Sequence, residues 1–327
     1  MLELLYGSMG DEFLAKIAVE LERVLARRAE NGTPGRTTAR VLAQGDGWTV
    51  TDMLCTSGPQ DRSFEERHSG VSIAIVAAGS FQYRASSPHG KATDCELMTP
   101  GSLLLGNPGQ SFECGHEHGT GDRCLSFHYA PDYFERIAAD AGMRGDKPDF
   151  RMLRLPPLRA LSPVIARACA GLTEPGNGAR RMMRWEEIGV RMAALTVQLA
   201  NGLSGERNNA PPSSLARVTR VVRWIERDPN HGLTLGSLAR IAGLSPYHFL
   251  RTFERLTGLT PHQYILRVRL RCAAMRLTKE PTKILDIALD SGFGDVSNFN
   301  RAFRAEFGVS PRIYREAGSF PGDRSSA

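Results

Sequence analysis

The chain has 327 residues, enough for two domains, with 41% hydrophobic and 23% charged residues and a net charge of +6. No stretch approaches eighteen consecutive apolar residues, which argues against a membrane span, and the opening MLELLYGSMGDEF lacks the basic start of a signal peptide. A cytoplasmic protein with no membrane partner is the expectation.

In chain order, Asp11 to Glu30 reads as an amphipathic helix, with Phe13, Leu14, Ile17, Leu21, Val24 and Leu25 on its apolar side. NGTPGRT follows as a loop. From Arg40 to Tyr129 the texture changes to short apolar or alternating runs, WTVTDMLCT, VSIAIVAAG, SFQYRAS, GSLLLGN, SFECGHEH and RCLSFHY, punctuated by Gly, Pro and Asp. Strands at that spacing predict an antiparallel barrel or jelly roll. MTPGSLLLGNPGQ resembles the turn-strand-turn of the small barrels called cupins. Three helical stretches follow, Pro131–Gly142, Ser162–Leu172 and Ala179–Gly202, and then NGLSGERNNAPPSS, a linker composition.

Five of the eight His and four of the six Cys lie between Cys55 and His128. In ECGHEHGTGDRCLSFH, one strand puts Cys114, His116 and His118 on a single face, and the next does so for Cys124, Ser126 and His128. A hairpin with His116 opposite Cys124 would merge the two faces, and Cys55 and His68 are within reach as neighbours. Thiolate and imidazole suit a soft divalent metal such as zinc. The same residues also fit a thiol redox sensor, or buried cysteines beside a polar turn with no special chemistry. There is no CxxC, and a cupin's two His and Glu on one strand are only partly imitated.

The last third of the chain repeats itself. FLRTFERLTGLTP (Phe249 to Pro261) returns fifty residues later as FNRAFRAEFGVSP (Phe299 to Pro311), matching Phe, Arg, Phe, Gly and Pro in order. Just upstream the offset drops to forty-nine, which is what a turn one residue longer would leave. In the first copy Thr234 caps a helix that Gly243 ends; Ser245 caps the next, Pro246 starts it and Gly258 closes it. In the second copy Asp295 is the corresponding cap. Each copy is thus a helix-turn-helix. Between them Thr260 to Glu280 reads as one helix with Tyr264, Ile265, Val268, Leu270, Ala274 and Leu277 in a broad apolar stripe. About twenty helical residues span roughly 30 Å, close to the roughly 34 Å between successive major-groove faces of B-DNA. Charge agrees: Leu215 to Ala317 holds 17 Lys and Arg against 9 Asp and Glu, so the whole positive excess sits in this region.

SLARIAGLSPYHFLRTFERLTGLTPHQYILRVRL with ILDIALDSGFGDVSNFNRAFRAEFGVSPRIYR resembles the DNA-binding domain of AraC/XylS-type transcription regulators, over about a hundred residues. The resemblance implies a reader of double-stranded DNA joined to an effector-binding or dimerising N-terminal domain, commonly cupin-like. It implies groove contacts by Tyr247, Leu250 and Arg251 in the first unit. The equivalent outward set in the second is Val296, Ser297, Asn300 and Arg301. Arg suits guanine, Asn suits adenine, and Tyr and Leu suit thymine methyls. An internal salt bridge is the competing role for Arg251 and Arg301. Phosphate contacts fall among helix N-termini and Arg267, Arg269, Lys283 or Arg312.

The expected fold is α+β: a cupin-like β-barrel with flanking helices, then an all-α domain of two helix-turn-helix units joined by a long helix. The expected organisation is a helix and loop over 1–39, a sensing barrel over 40–130, helices that can dimerise over 131–204, a linker over 205–214, the DNA-binding domain over 215–317 and a disordered tail over 318–327. The expected function is a sequence-specific transcription regulator whose barrel senses a small ligand or a metal held by Cys114, His116, His118, Cys124 and His128. Its expected partners are double-stranded DNA, RNA polymerase if it activates, an effector, and a second copy of itself. A cupin metalloenzyme with a DNA-binding appendage is the first alternative, though few carboxylates accompany the histidines. Cysteine-based alkyl transfer from damaged DNA is the second, though the cysteines are too spread for its zinc cluster.

Overall fold

A computed structural model describes residues 14–63, 65–86, 93–142, 149–172, 179–202, 211–230 and 233–318. Most of the expected linker and tail, and the first turn of the expected N-terminal helix, lie outside these residues. The chain begins with α1 (Leu14–Asn31). Strands follow: β1 (Thr37–Gly45), β2 (Trp48–Cys55), β3 (Glu65–Arg67), β4 (Val71–Gly79), β5 (Phe81–Ser86), β6 (Thr93–Met98), β7 (Leu103–Gly106), β8 (Ser111–Gly115) and β9 (Asp122–Tyr129). Then come α2 (Pro131–Asp140), the two-residue β10 (Arg154–Leu155), a 3-10 turn (Arg159–Leu161), α3 (Ser162–Leu172) and α4 (Ala179–Gly202).

The strands form two antiparallel sheets, β1-β2-β9-β4-β7-β10 and β3-β8-β5-β6. The architecture is α+β as expected, but the barrel is not closed. It is a two-sheet jelly roll. β4 shows why its sequence, VSIAIVAAG, is apolar without alternation: it is buried on both faces. Ile73 and Ile75 meet Phe127, Leu103 and the helices on the outer side, where Ile17, Phe134, Trp185 and Met192 pack. Ala74 and Val76 face the other sheet, against its Phe81, Tyr83 and Met98, with Cys124 beside them on β9 of their own sheet.

The hairpin expected between β8 and β9 does not form. β8 pairs with β3 and β5, whereas β9 pairs with β2 and β4 in the other sheet. SFECGHEH stops being strand at Gly115 because the next six residues cross from one sheet to the other. The crossing turns at Gly121 (φ +71°), a left-handed position cheap only for glycine.

The second domain has α5 (Pro212–Arg227), α6 (Leu235–Ala242), α7 (Pro246–Thr257), α8 (Pro261–Lys279), α9 (Ile284–Asp290), α10 (Val296–Phe307) and α11 (Pro311–Gly318). α8 carries the expected apolar residues but splits them between two cores. Tyr264, Ile265 and Val268 join Phe249, Phe253 and α5. Leu270, Ala274 and Leu277 join Phe299, Phe303 and Phe307. A helix apolar on two sides is a spine rather than an amphipathic surface element.

The domains dock through mixed contacts. Leu97 of β6 enters the core of the first unit, and Met275 of α8 enters the core over the larger sheet. Arg154 donates to the Thr257 carbonyl at 2.7 Å. Glu306, near the end of α10, is 4% exposed in its side chain and receives Arg267 at 3.3 Å and Arg159 at 3.5 Å, with a hydrogen bond from the Ser162 hydroxyl.

Candidate nucleic-acid interface

In the first unit, Thr234 and Ser237 form a reciprocal cap at the start of α6. Gly243 (φ +63°) ends α6, and the Ser245 side chain accepts from the His248 amide to start α7. In the second unit, Gly292 (φ +75°) follows α9, and Asp295 accepts from the Asn298 amide at 2.7 Å to start α10. Gly243 and Ser245 are two residues apart, whereas Gly292 and Asp295 are three apart. Gly294 is the extra residue behind the change of offset. Both second helices bury the same pair of aromatics: Phe249 and Phe253, Phe299 and Phe303, each 0% exposed.

That burial turns the remaining faces outward. Tyr247 is 63% exposed, and Arg251 beside it is exposed, with its guanidinium 5.9 Å from the Tyr247 ring centroid. Leu250 is half-buried. In α10, Ser297, Asn300 and Arg301 are exposed and Val296 is half-buried. Arg301 donates to the Asn298 side chain at 3.0 Å. Among the described residues, neither Arg251 nor Arg301 has a carboxylate partner, so the internal salt bridge weighed from sequence does not form. Asn298 and His248 are exposed on these helices too and were missed. Their position one turn in from the cap was the available signal.

Two of the basic residues considered for phosphate contact are spent inside the protein. Arg267 is paired with Glu306, and burial lowers its pKa. Arg269 donates to the Pro229 and Gly292 carbonyls at 2.8 and 3.1 Å, bracing the second turn. Lys283 and Arg312 are exposed.

A helix-turn-helix domain family matches residues 238–317. PqrA of Proteus vulgaris, described as a probable transcription factor, is 34% identical over 106 residues, 32% of this chain and 87% of PqrA. The chain belongs to the AraC/XylS family of transcription regulators. The transcriptional activator RhaS of Klebsiella pneumoniae is 29% identical over 208 residues, 62% of this chain and 72% of RhaS. The activator RclR of Escherichia coli, described as specific for RCS, is 35% identical over 100 residues, which span only 35% of its length. This regulator is therefore a DNA-binding protein of a family named for transcription control, not for catalysis. Among the described residues no helix is long and apolar enough to cross a membrane.

In the regulator's N-terminal domain the Cys and His residues converge from facing sheets rather than along a hairpin. Cys55 of β2 is the cross-strand partner of Asp122 in β9. His116, just past β8, approaches from the other sheet and its Nε2 lies 2.6 Å from Asp122 Oδ1. Cys124 donates its thiol to Asp122 Oδ2 at 3.2 Å. Ligand atoms of Cys55, His116 and Asp122 all lie within 4.8 Å of one another. Burial opposes charge on His116, but hydrogen bonds with Asp122 and Cys55 outweigh it and push its pKa up to about 9. Burial raises the Cys55 thiol, and the His116 contact more than reverses this. Cys114 is pushed well above the usual thiol range by burial and by Asp122.

The five residues expected as a metal set are thus divided. His116 is in the trio, Cys124 touches it through Asp122, and Cys114 lines the same cleft as Cys55 and His116. His128 instead bonds Ser126 at 3.0 Å. His118 belongs to the crossing turn, and its Nε2 has no hydrogen-bond partner. Cys55 was named only as a neighbour, and Asp122 was missed although it is two residues from Cys124 and so on the same strand face.

Proposed function

We propose that this regulator reads specific DNA with both helix-turn-helix units and that its jelly-roll domain senses a small ligand or metal. The carrying observation is that two capped helices, at equivalent places in a tandem repeat, each present an exposed arginine with no carboxylate partner among the described residues. Tyr247, Leu250 and Arg251 contact bases from α7; Val296, Ser297, Asn300 and Arg301 do so from α10. α8, 19 residues and so about 28 Å long, sets a separation suited to consecutive major grooves on one face of the duplex. The net positive charge of this domain supplies the attraction to phosphate.

Sensing rests on the docked interface. The jelly roll contacts the DNA-binding domain through Leu97, Arg154 and the Glu306 cluster, so a ligand that favours one packing over another shifts reader geometry by its differential affinity. Contact with RNA polymerase, if the regulator activates, and pairing with a second copy through the helices of the first domain belong to the same reading. Footprinting of the full-length chain on a duplex selected from random sequence tests the reading. Each bound copy should protect two major-groove faces one helical turn apart; protection of a single groove per copy would refute the two-unit mode.

A further inference from the structure

We propose that Cys55, His116 and Asp122 form a binding site for a soft divalent cation such as Zn(II), and that Arg223 transmits its occupancy to the DNA-binding domain. The inference rests on the sensing role proposed above and gives it a ligand class and a route.

The donor set is one thiolate sulfur, one imidazole nitrogen and one carboxylate oxygen. Magnesium and calcium take oxygen shells; sulfur with nitrogen selects zinc and its neighbours. Zinc bonds of about 2.0–2.3 Å put tetrahedral ligand atoms roughly 3.3–3.7 Å apart. The three atoms already lie within 4.8 Å of one another and need shifts of about 1 Å: His116 Nε2 and Asp122 Oδ1, hydrogen-bonded at 2.6 Å, move apart as the ion displaces the proton between them to solvent. The fold holds them. Cys55 and Asp122 face each other across one ladder, and the thiol of Cys124 orients the second oxygen of Asp122, a supporting contact of the kind that fixes ligating carboxylates. On the other side Cys55 and His116 line an open cleft with Asp61, Glu66 and Glu117 on its wall. A cation has a path in from that cleft.

The route to the reader is the crossing turn between His116 and Asp122. Arg223 of α5 donates to the Gly121 carbonyl at 3.2 Å and to Ser80 Oγ and O at 3.2 and 3.3 Å. A Cβ at Gly119 would sit 2.4 Å from the Arg223 guanidinium carbon, so glycine there lets the guanidinium lie on the turn. α5 itself packs on the first helix-turn-helix unit through Val218, Val221 and Val222. Drawing His116 and Asp122 onto an ion moves both ends of the turn that Arg223 grips.

The test uses full-length protein stripped with chelator and titrated with Co(II), with Zn(II) as competitor. One equivalent should bind and give a thiolate-to-cobalt charge-transfer band. Cys55→Ser should abolish the band, Asp122→Asn should weaken binding at least tenfold, and Cys169→Ser should leave both unchanged. Zn(II) should change affinity for the selected duplex by at least about fivefold, the lower range of allosteric coupling. Arg223→Ala should keep the band and lose that response. Absence of stoichiometric binding by the wild type overturns the site, even if Cys55→Ser does not fold. A full band surviving in folded Cys55→Ser overturns it too. A wild-type band without any change in DNA affinity overturns the transmission. Failure to bind DNA with or without metal would instead count against the DNA-reading proposal and leave the cobalt result standing.

Discussion

Replacing Glu306 with Ala is the sharpest test of how the domains are held. Its carboxylate is 4% exposed and is shared by Arg267, Arg159 and Ser162. The two arginines are not equal. Arg267 is 14% exposed, whereas Arg159 is 59% exposed. Breaking a buried ion pair by removing one partner costs about 3–5 kcal/mol, because the other charge is left stranded. An exposed pair contributes about 0–1 kcal/mol. Glu306→Ala should therefore destabilise by roughly 3–4 kcal/mol, and Arg159→Ala by under about 1 kcal/mol. Adding Arg267→Met to Glu306→Ala should recover part of the loss by removing the stranded guanidinium. Urea unfolding followed by circular dichroism and tryptophan fluorescence measures this; Trp48 and Trp185 lie in the first domain and Trp224 in the second. A loss below about 1 kcal/mol with an unchanged urea slope, or a double variant worse than the single one, would refute the electrostatic reasoning.

Arg251→Ala and Arg301→Ala should each weaken binding to the selected duplex by about 1–3 kcal/mol, the worth of a bidentate base contact; unchanged fluorescence anisotropy isotherms for both would remove them from the groove. Gly308→Ala (φ +76°, open space around a Cβ) should cost about 1–2 kcal/mol in thermal unfolding from backbone strain alone. Gly258→Ala at the same place in the first copy (φ +77°) should cost more, because the new Cβ would lie 2.5 Å from Pro156 across the domain interface. His68 is buried against Tyr83 (2.8 Å) and Phe112; burial, then the charge of His128, brings its pKa down to about 4. Between pH 6.5 and 4 the unfolded chain takes up a proton that the folded one refuses, so stability should fall as pH falls, by about 2 kcal/mol at pH 5 relative to pH 7. Urea midpoints of wild type and His68→Gln at the two pH values check this, and the variant should lose that share of the slope.

The DNA-binding domain was legible residue by residue because its determinants are local. A helix cap acts on an amide three residues away, a left-handed glycine acts on its own dihedrals, and helical periodicity sorts buried Phe249 from exposed Tyr247 within one turn. Duplication doubled that signal, and even the one-residue slip at Gly294 could be read as a longer turn. The strands of the jelly roll were legible one at a time for the same reason, from runs such as VSIAIVAAG. Their partners were not. Alternation fixes which side chains share a face but not which strand lies alongside or which sheet it joins, so β8 and β9, adjacent in sequence, read as a hairpin and stand in opposite sheets. The roles of Arg267 and Arg269 were hidden likewise, since an arginine's value depends on whether a distant carboxylate or carbonyl arrives to meet it. Composition and spacing set out the elements and the reading helices. Only the packing of the two sheets brought Cys55 to Asp122 across one ladder and His116 to both across the sandwich, because contacts between residues far apart in sequence are chosen by the burial of whole faces and not by any local pattern.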